Sequence, residues 1–187
     1  MLIGLTALYP PLATRAKIQD RFDPSLGPSM DGWAYMTTAR YGDPAGQTYE
    51  LKWDLEAIQW LLDNVLGTPT ILEGQVPEYR WGARYSINTG LPTVLGWNWH
   101  QRQQRAAADE QDVWKRAEDV ADIYNTTNPE AARILLDKYS VRYVIVGPLE
   151  RVYYTVEGLA KFDRMEADGT LQVVYRNEGV TIYTVVE

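Results

Sequence analysis

The strongest hydrophobic periodicity in the chain starts just after Trp53. Ile58, Leu61, Leu62, Val65 and Leu66 recur at helical spacing behind Asp54, a residue suited to capping. Gly67 supplies a stop, and Pro69 bars continuation. Residues 70–73 (TILE) then read as a short buried strand, and residues 85–88 (YSIN) and 93–96 (TVLG) as two more, parted by a turn at Gly90 to Pro92. A polar helix is predicted from Gln101 or Asp109 to Tyr124, with Val113, Ala117, Val120, Ala121 and Tyr124 as its apolar stripe. Asn128-Pro129 starts another helix, whose Leu135, Leu136 and Tyr139 face the core. The continuous apolar run at 142–147 suits a strand covered on both faces. A helix over 150–162 follows. Two alternating strands at 171–176 and 180–186 are joined by the Asn177, Glu178, Gly179 loop. Helices alternating with strands predict an α/β fold: a layered domain over 51–187 with a mixed sheet, flanking helices and a C-terminal antiparallel hairpin.

The amino-terminal part reads differently. Residues 1–14 carry no charge, and then Arg15, Lys17, Asp20 and Arg21 arrive together. Fourteen residues are too few to span a bilayer, which takes ~20, and no basic region precedes them as in a signal peptide. Pro10-Pro11 is expected to stop a helix. Two readings follow: an apolar strand or loop lying on the domain, or the end of a longer transmembrane helix. Residues 15–50 hold turn signals at Asp23-Pro24, Gly27-Pro28, Asp31-Gly32 and Asp43-Pro44. They predict an irregular, ordered segment pinned by Met30, Trp33, Tyr35 and Met36, with 15–187 as one compact unit.

Composition narrows the chemistry. At 187 residues, 45% hydrophobic and 23% charged, the chain fits one globular domain. Eighteen basic against 25 acidic residues, a net −7, argue against nucleic acid as a partner. Without cysteine there is no disulfide or thiolate chemistry, and a single histidine, His100, excludes a two-imidazole site. No phosphate loop, dinucleotide fingerprint or nucleophile elbow occurs, so no cofactor, metal or catalytic residue is predicted. Seven Trp and 13 Tyr against two Phe is a skewed aromatic set. Trp and Tyr have a polar tip that suits sugar sites, interfaces and membrane boundaries, though they also serve as core bulk.

The densest constellation is 89–105, TGLPTVLGWNWHQRQQR. Trp97 and Trp99 share a face if this stretch is extended. Arg102 and Arg105 share a side if a helix begins near Asn98. Indoles, an imidazole and forked guanidinium groups are what a sugar or phosphate site recruits, so Trp97, Trp99, His100, Arg102 and Arg105 are candidate ligand-binding residues. The competing reading has the indoles closing the core and the Arg residues on a wet helix. Glu73, at the carboxyl end of a predicted strand, is a further candidate; a surface acid at a strand end is its plainer reading.

The TGLPTVLGW run with His100 and Arg102 resembles a signature of the YYY membrane proteins, a multi-pass bacterial and archaeal family of uncharacterised function. Weaker likenesses lie in the same order at Tyr9-Pro10 and Asp20-Arg21-Phe22, at 31–36, at 54–73 and at 143–162. The family is similar to membrane glycosyltransferases of the GT-C type. The resemblance implies an extracytoplasmic, membrane-proximal domain of a cell-membrane protein, with 1–14 as the end of the last span and the transmembrane portion of the same polypeptide as partner. It implies assistance in recognising a glycan or lipid-linked sugar, without catalysis by the domain alone. Trp97-Asn98-Trp99 departs from the family pattern, and the WWDYG-type motif of oligosaccharyltransferases is absent. The rival expectation is a ligand-free interaction module that docks on the membrane part or self-associates.

Overall fold

In the computed structural model, the described residues are 2–21, 27, 29–44, 46–105 and 109–186. The expected α/β architecture is present. Four strands, β3 (Thr70–Leu72), β4 (Val141–Val146), β5 (Leu171–Arg176) and β6 (Thr181–Val185), form a sheet in the order β3-β4-β6-β5. β3 runs parallel to β4, whereas β4–β6 and β6–β5 are antiparallel. A separate hairpin joins β1 (Arg40–Gly42) to β2 (Thr48–Glu50).

Alternation along the strands divides the core in two. Leu72, Val144, Val146 and Tyr183 point to one face and pack with α5 (Glu110–Asn125), α6 (Pro129–Lys138) and α8 (Val156–Ala167). Their sequence neighbours Ile71, Ile145 and Ile182 point to the other, against α2 (Lys52–Asn64) and Tyr85. Polar side chains cap the helices where the sequence supplies them: Asp109 for α5, Asn128 for α6 and Thr155 for α8. The β5–β6 turn is held by Asn177, whose Oδ1 accepts from the amides of Gly179 and Val180 at 3.0 and 2.7 Å.

Several expectations are corrected. Residues 85–88 are not a strand but lie in the helix α3 (Arg84–Thr89), entered through left-handed Ala83 (φ 57°) and closed by Gly90 (φ 74°). Tyr85 and Ile87 alternate as strand residues do, yet Asn88 and Thr89 donate back to the carbonyls of Arg84 and Tyr85, a helical pattern. Residues 93–96 form no strand; Thr93 makes one parallel bridge to Ile71, and Val94 and Leu95 turn into the core. The polar helix is two, α4 (Asn98–Gln104) and α5, and 150–162 also divides, into α7 (Pro148–Tyr153) and α8. At the amino terminus, α1 (Leu2–Arg21) runs through Pro10 and Pro11, which do not stop it. Each ring deletes one amide donor while its fixed φ stays compatible with the helix. Within 15–50, Met36 is buried and Trp33 half-buried, but Met30 and Tyr35 are exposed and pin nothing. The only regular structure there beyond the end of α1 is a 3-10 turn (Ala34–Thr37) and the β1–β2 hairpin, among the described residues.

Candidate functional site: a basic cleft beside α4

Between Gly90 and Arg105 the chain leaves α3, passes the edge of β3 and enters α4. Gly96, at φ 75°, makes the bend before the helix, and Trp97 precedes it in extended conformation. Because Asn98 is already helical, Trp97 and Trp99 do not share a face. A cleft of about 710 Å³ opens on one side. Its wall includes Trp97, His100, Gln101 and Arg105, while Leu91, Val94 and Leu95 supply apolar surface. Arg116, Lys115, Lys138 and Tyr139 complete the lining.

The structure thus brings three of the six candidates together and sends the others elsewhere. Trp97 and His100 pack ring to ring at 5.2 Å, with Tyr79 against both at 5.8 and 5.2 Å. The Tyr79 hydroxyl lies 3.4 Å from His100 Nε2. The Trp97 indole nitrogen is buried without a hydrogen-bond partner. Trp99 and Arg102 sit outside the cleft. The Arg102 guanidinium lies between two rings, 4.8 Å from Trp99 and 4.4 Å from Trp114, and donates through Nε to Asn98 at 2.8 Å. Glu73 is interior, 4% exposed, and its carboxylate accepts the Tyr85 amide at 2.8 Å and the Ser86 amide at 3.3 Å at the start of α3. Burial raises its pKa, and these hydrogen bonds only partly offset that. Glu73 therefore shapes α3 from below and does not line the cleft.

Sequence reasoning missed a second polar centre, which anchors one wall of the cleft. Arg84, 1% exposed, reaches Asp54 on α2 at 2.9 Å and Glu150 on α7 at 2.9 Å. Trp81 Nε1 and the Tyr85 hydroxyl donate to Asp54 at 2.8 and 2.6 Å. The amides of Gly74 and Gly147 donate to Glu150 at 2.9 and 2.8 Å. Burial alone pushes the Glu150 pKa up, but Arg84 and the two amides outweigh it and hold the carboxyl below its usual range. The glycines are what let the chain close on this carboxylate. A Cβ at Gly74 would lie 2.8 Å from Glu150 Oε1, and one at Gly147 would lie 2.8 Å from Arg84 Nη2. Glycines after the two parallel strands, TILEG and RYVIVG, were the available signal.

Beneath the basic wall, Asp119 is 2% exposed and accepts from Lys138 at 2.5 Å and the Tyr139 hydroxyl at 2.6 Å, with Lys115 at 3.1 Å. Burial works against its charge, yet these donors keep its pKa below the ordinary value. On the other side of α5, Lys161 is fully buried and donates to the carbonyls of Tyr124 and Gly158 at 3.1 and 2.9 Å. Desolvation brings its pKa down to about 7. Among the described residues no group of acidic and histidine side chains could hold a metal ion.

No protein-family model and no curated protein matches the chain. Among solved structures, the C-terminal globular domain of an oligosaccharyltransferase from Archaeoglobus fulgidus superposes with a TM-score of 0.45 at 17% identity. The match covers 71% of this chain and 96% of that one. No described helix is long and apolar enough to cross a membrane.

Proposed function

We propose that this chain is a non-catalytic saccharide-recognition domain and that the cleft beside α4 is its binding site. One observation carries the reading: the cleft gathers Trp97, His100 and Arg105 with Gln101 and Arg116 around an apolar floor. An indole offers an apolar plate for a sugar face, and amide, imidazole and guanidinium groups offer directional partners for hydroxyls. The wider context in the proposal is an extracytoplasmic domain joined to the transmembrane portion of a glycosyltransferase-like protein, assisting recognition of a glycan or lipid-linked sugar. That part rests on the likeness of the TGLPTVLGW segment to the YYY proteins.

The test is glycan binding by the purified chain, followed by fluorescence or on an array. Trp97→Ala and Arg105→Ala should each weaken binding by tenfold or more, whereas Trp99→Ala, outside the cleft, should leave it within about twofold. Arg105 is exposed, so its removal does not threaten the fold. Unchanged binding in the Arg105 variant, or equal loss in all three, would refute the assignment.

A second reading draws on a different observation. Trp99 and Trp114 stay 43% and 42% exposed with Arg102 stacked between them, a cluster typical of interface anchors. On this reading the domain docks on its membrane part or on another copy through that cluster. Sedimentation of the chain and of a Trp99→Ala/Trp114→Ala double variant separates the two: association lost in the variant favours docking, and a monomer in both cases counts against self-association.

A further inference from the structure

The charge along the cleft points to a narrower ligand class. We infer that the saccharide it takes is anionic, with Arg105 and Arg116 holding a phosphate, sulfate or carboxylate group. This deepens the saccharide reading above and rests on it.

The whole chain is acidic, 25 Asp and Glu against 18 Lys and Arg, so an average stretch of its surface carries more carboxylates than cations. The cleft reverses that balance. Arg105, Lys115, Arg116 and Lys138 line it against one carboxylate, Asp112. Part of this charge is already engaged: buried Asp119 draws on Lys138 and Lys115, and Glu118 lies 3.8 Å from Lys115. The two arginines are not engaged in this way. Arg116 uses Nη1 on the Val94 carbonyl at 3.0 Å and rests over the Tyr139 ring at 5.1 Å. Neither Arg105 nor Arg116 has an ion-pair partner among the described residues.

A guanidinium presents five donors in a fixed fork that matches the paired oxygens of a phosphate or carboxylate. Arg116 keeps the rest of that fork after serving Val94, and its one backbone bond and its ring contact fix the plane of the group. Arg105 lies at the end of α4, on the same wall as Trp97 and His100. In the inferred complex Trp97 and His100 meet the sugar ring, and the two arginines meet its charge.

The experiment titrates the full chain, at fixed ionic strength, with three panels: glucose, galactose and mannose; their 1-phosphates; and the corresponding uronic acids. Inorganic phosphate serves as a fourth probe, and the Trp97 indole resonance is the readout. At least one charged sugar should bind tenfold or more tighter than its neutral parent. An Arg105→Gln/Arg116→Gln double variant should erase that preference, so that the charged sugar and its neutral parent bind within about twofold of each other, whatever the level of each. Lysine at both positions should restore part of the preference. The 1-phosphate and uronate panels distinguish a phosphoester from a carboxylate as the group held. Neutral sugars binding as tightly as charged ones would overturn the anionic inference and leave the saccharide reading standing. Inorganic phosphate binding alone, with every sugar silent, would overturn both, as would the absence of any binding.

Discussion

The tips of the tyrosines and tryptophans explain much of the aromatic skew. Trp33 donates to Asn88, Trp81 and Tyr85 to Asp54, Tyr124 to the Ile145 carbonyl, Tyr139 to Asp119 and Tyr183 to Asp163. At Asp54, Ile145 and Asp119 the partner is buried, and a phenylalanine in place of the donor would leave it short of a hydrogen bond. The composition therefore records polar ties between layers of the core as much as any binding surface. At Arg84 the tie is ionic. Arg84→Met leaves Asp54 and Glu150 as buried carboxylates without their cation, and the loss should be about 3–5 kcal/mol in a urea titration. A change under ~1 kcal/mol would show the network to be dispensable. Lys161 gives a prediction in pH. Its folded pKa of about 7 lies below the ordinary 10.5, so between those values the unfolded chain binds the extra proton. Stability from this residue should rise as pH climbs from 7 towards 10.5, and below 7 its burial weighs in full. The melting temperature of the native chain, less that of Lys161→Met, should increase steadily between pH 7 and 10. A flat difference would mean that Lys161 titrates near its free value.

Single elements were legible where their signals were local. α6 and β4 could be read from cap and apolar run, signals that sit within or beside the element they predict. α2 was legible only in part: Asp54 lies inside the helix, paired with Arg84 and not capping, Leu62 of the expected stripe is exposed, and Leu66 lies beyond the helix end at Asn64. α3 was not legible, since what makes residues 84–89 helical lies elsewhere: Glu73 takes its first amides, and Arg84 is drawn inward by Asp54 and Glu150. The same dependence limited reading of the site. The segment 89–105 stood out by composition, but only the helical start at Asn98 decides that Trp97 enters the cleft and Trp99 leaves it. Arg116, Lys115 and Lys138 come from α5 and α6, too far along the chain for spacing to associate them with His100. Helix contact also gives a test at this scale. A Cβ on Gly158 would overlap the Tyr124 carbonyl and lie 2.7 Å from Asn125 Cα, with backbone on both sides. Gly158→Ala should therefore force α8 off the end of α5 and cost about 1–3 kcal/mol. That corresponds to a midpoint roughly 2–12 °C lower for a chain of this size. An unchanged midpoint would mean that the helices can slide apart freely.

At the scale of the molecule, the sheet carries two cores of different use. The face under α5, α6 and α8 is closed by large side chains from Tyr124 to Phe162 and Met165, and the basic wall stands on the outside of α5. The other face is tied through Arg84 to α7, so the site is fixed from both sides of the sheet by groups that take no part in binding. α1 stands apart from this arrangement. Leu8, Tyr9, Leu12 and Ile18 are 55, 75, 62 and 51% exposed, and none of its described side chains is buried. A helix whose described side chains bury no apolar stripe contributes little to folding. A fragment beginning at Ser29 should accordingly melt within about 2 °C of the full chain, since each kcal/mol moves the midpoint of a domain this size by ~2–4 °C. It should also bind saccharide equally well, because none of the described side chains of α1 lines the cleft. A drop of more than ~5 °C would show that α1 packs on the body of the domain, and the apolar positions from Leu8 to Ile18 would then belong to its core.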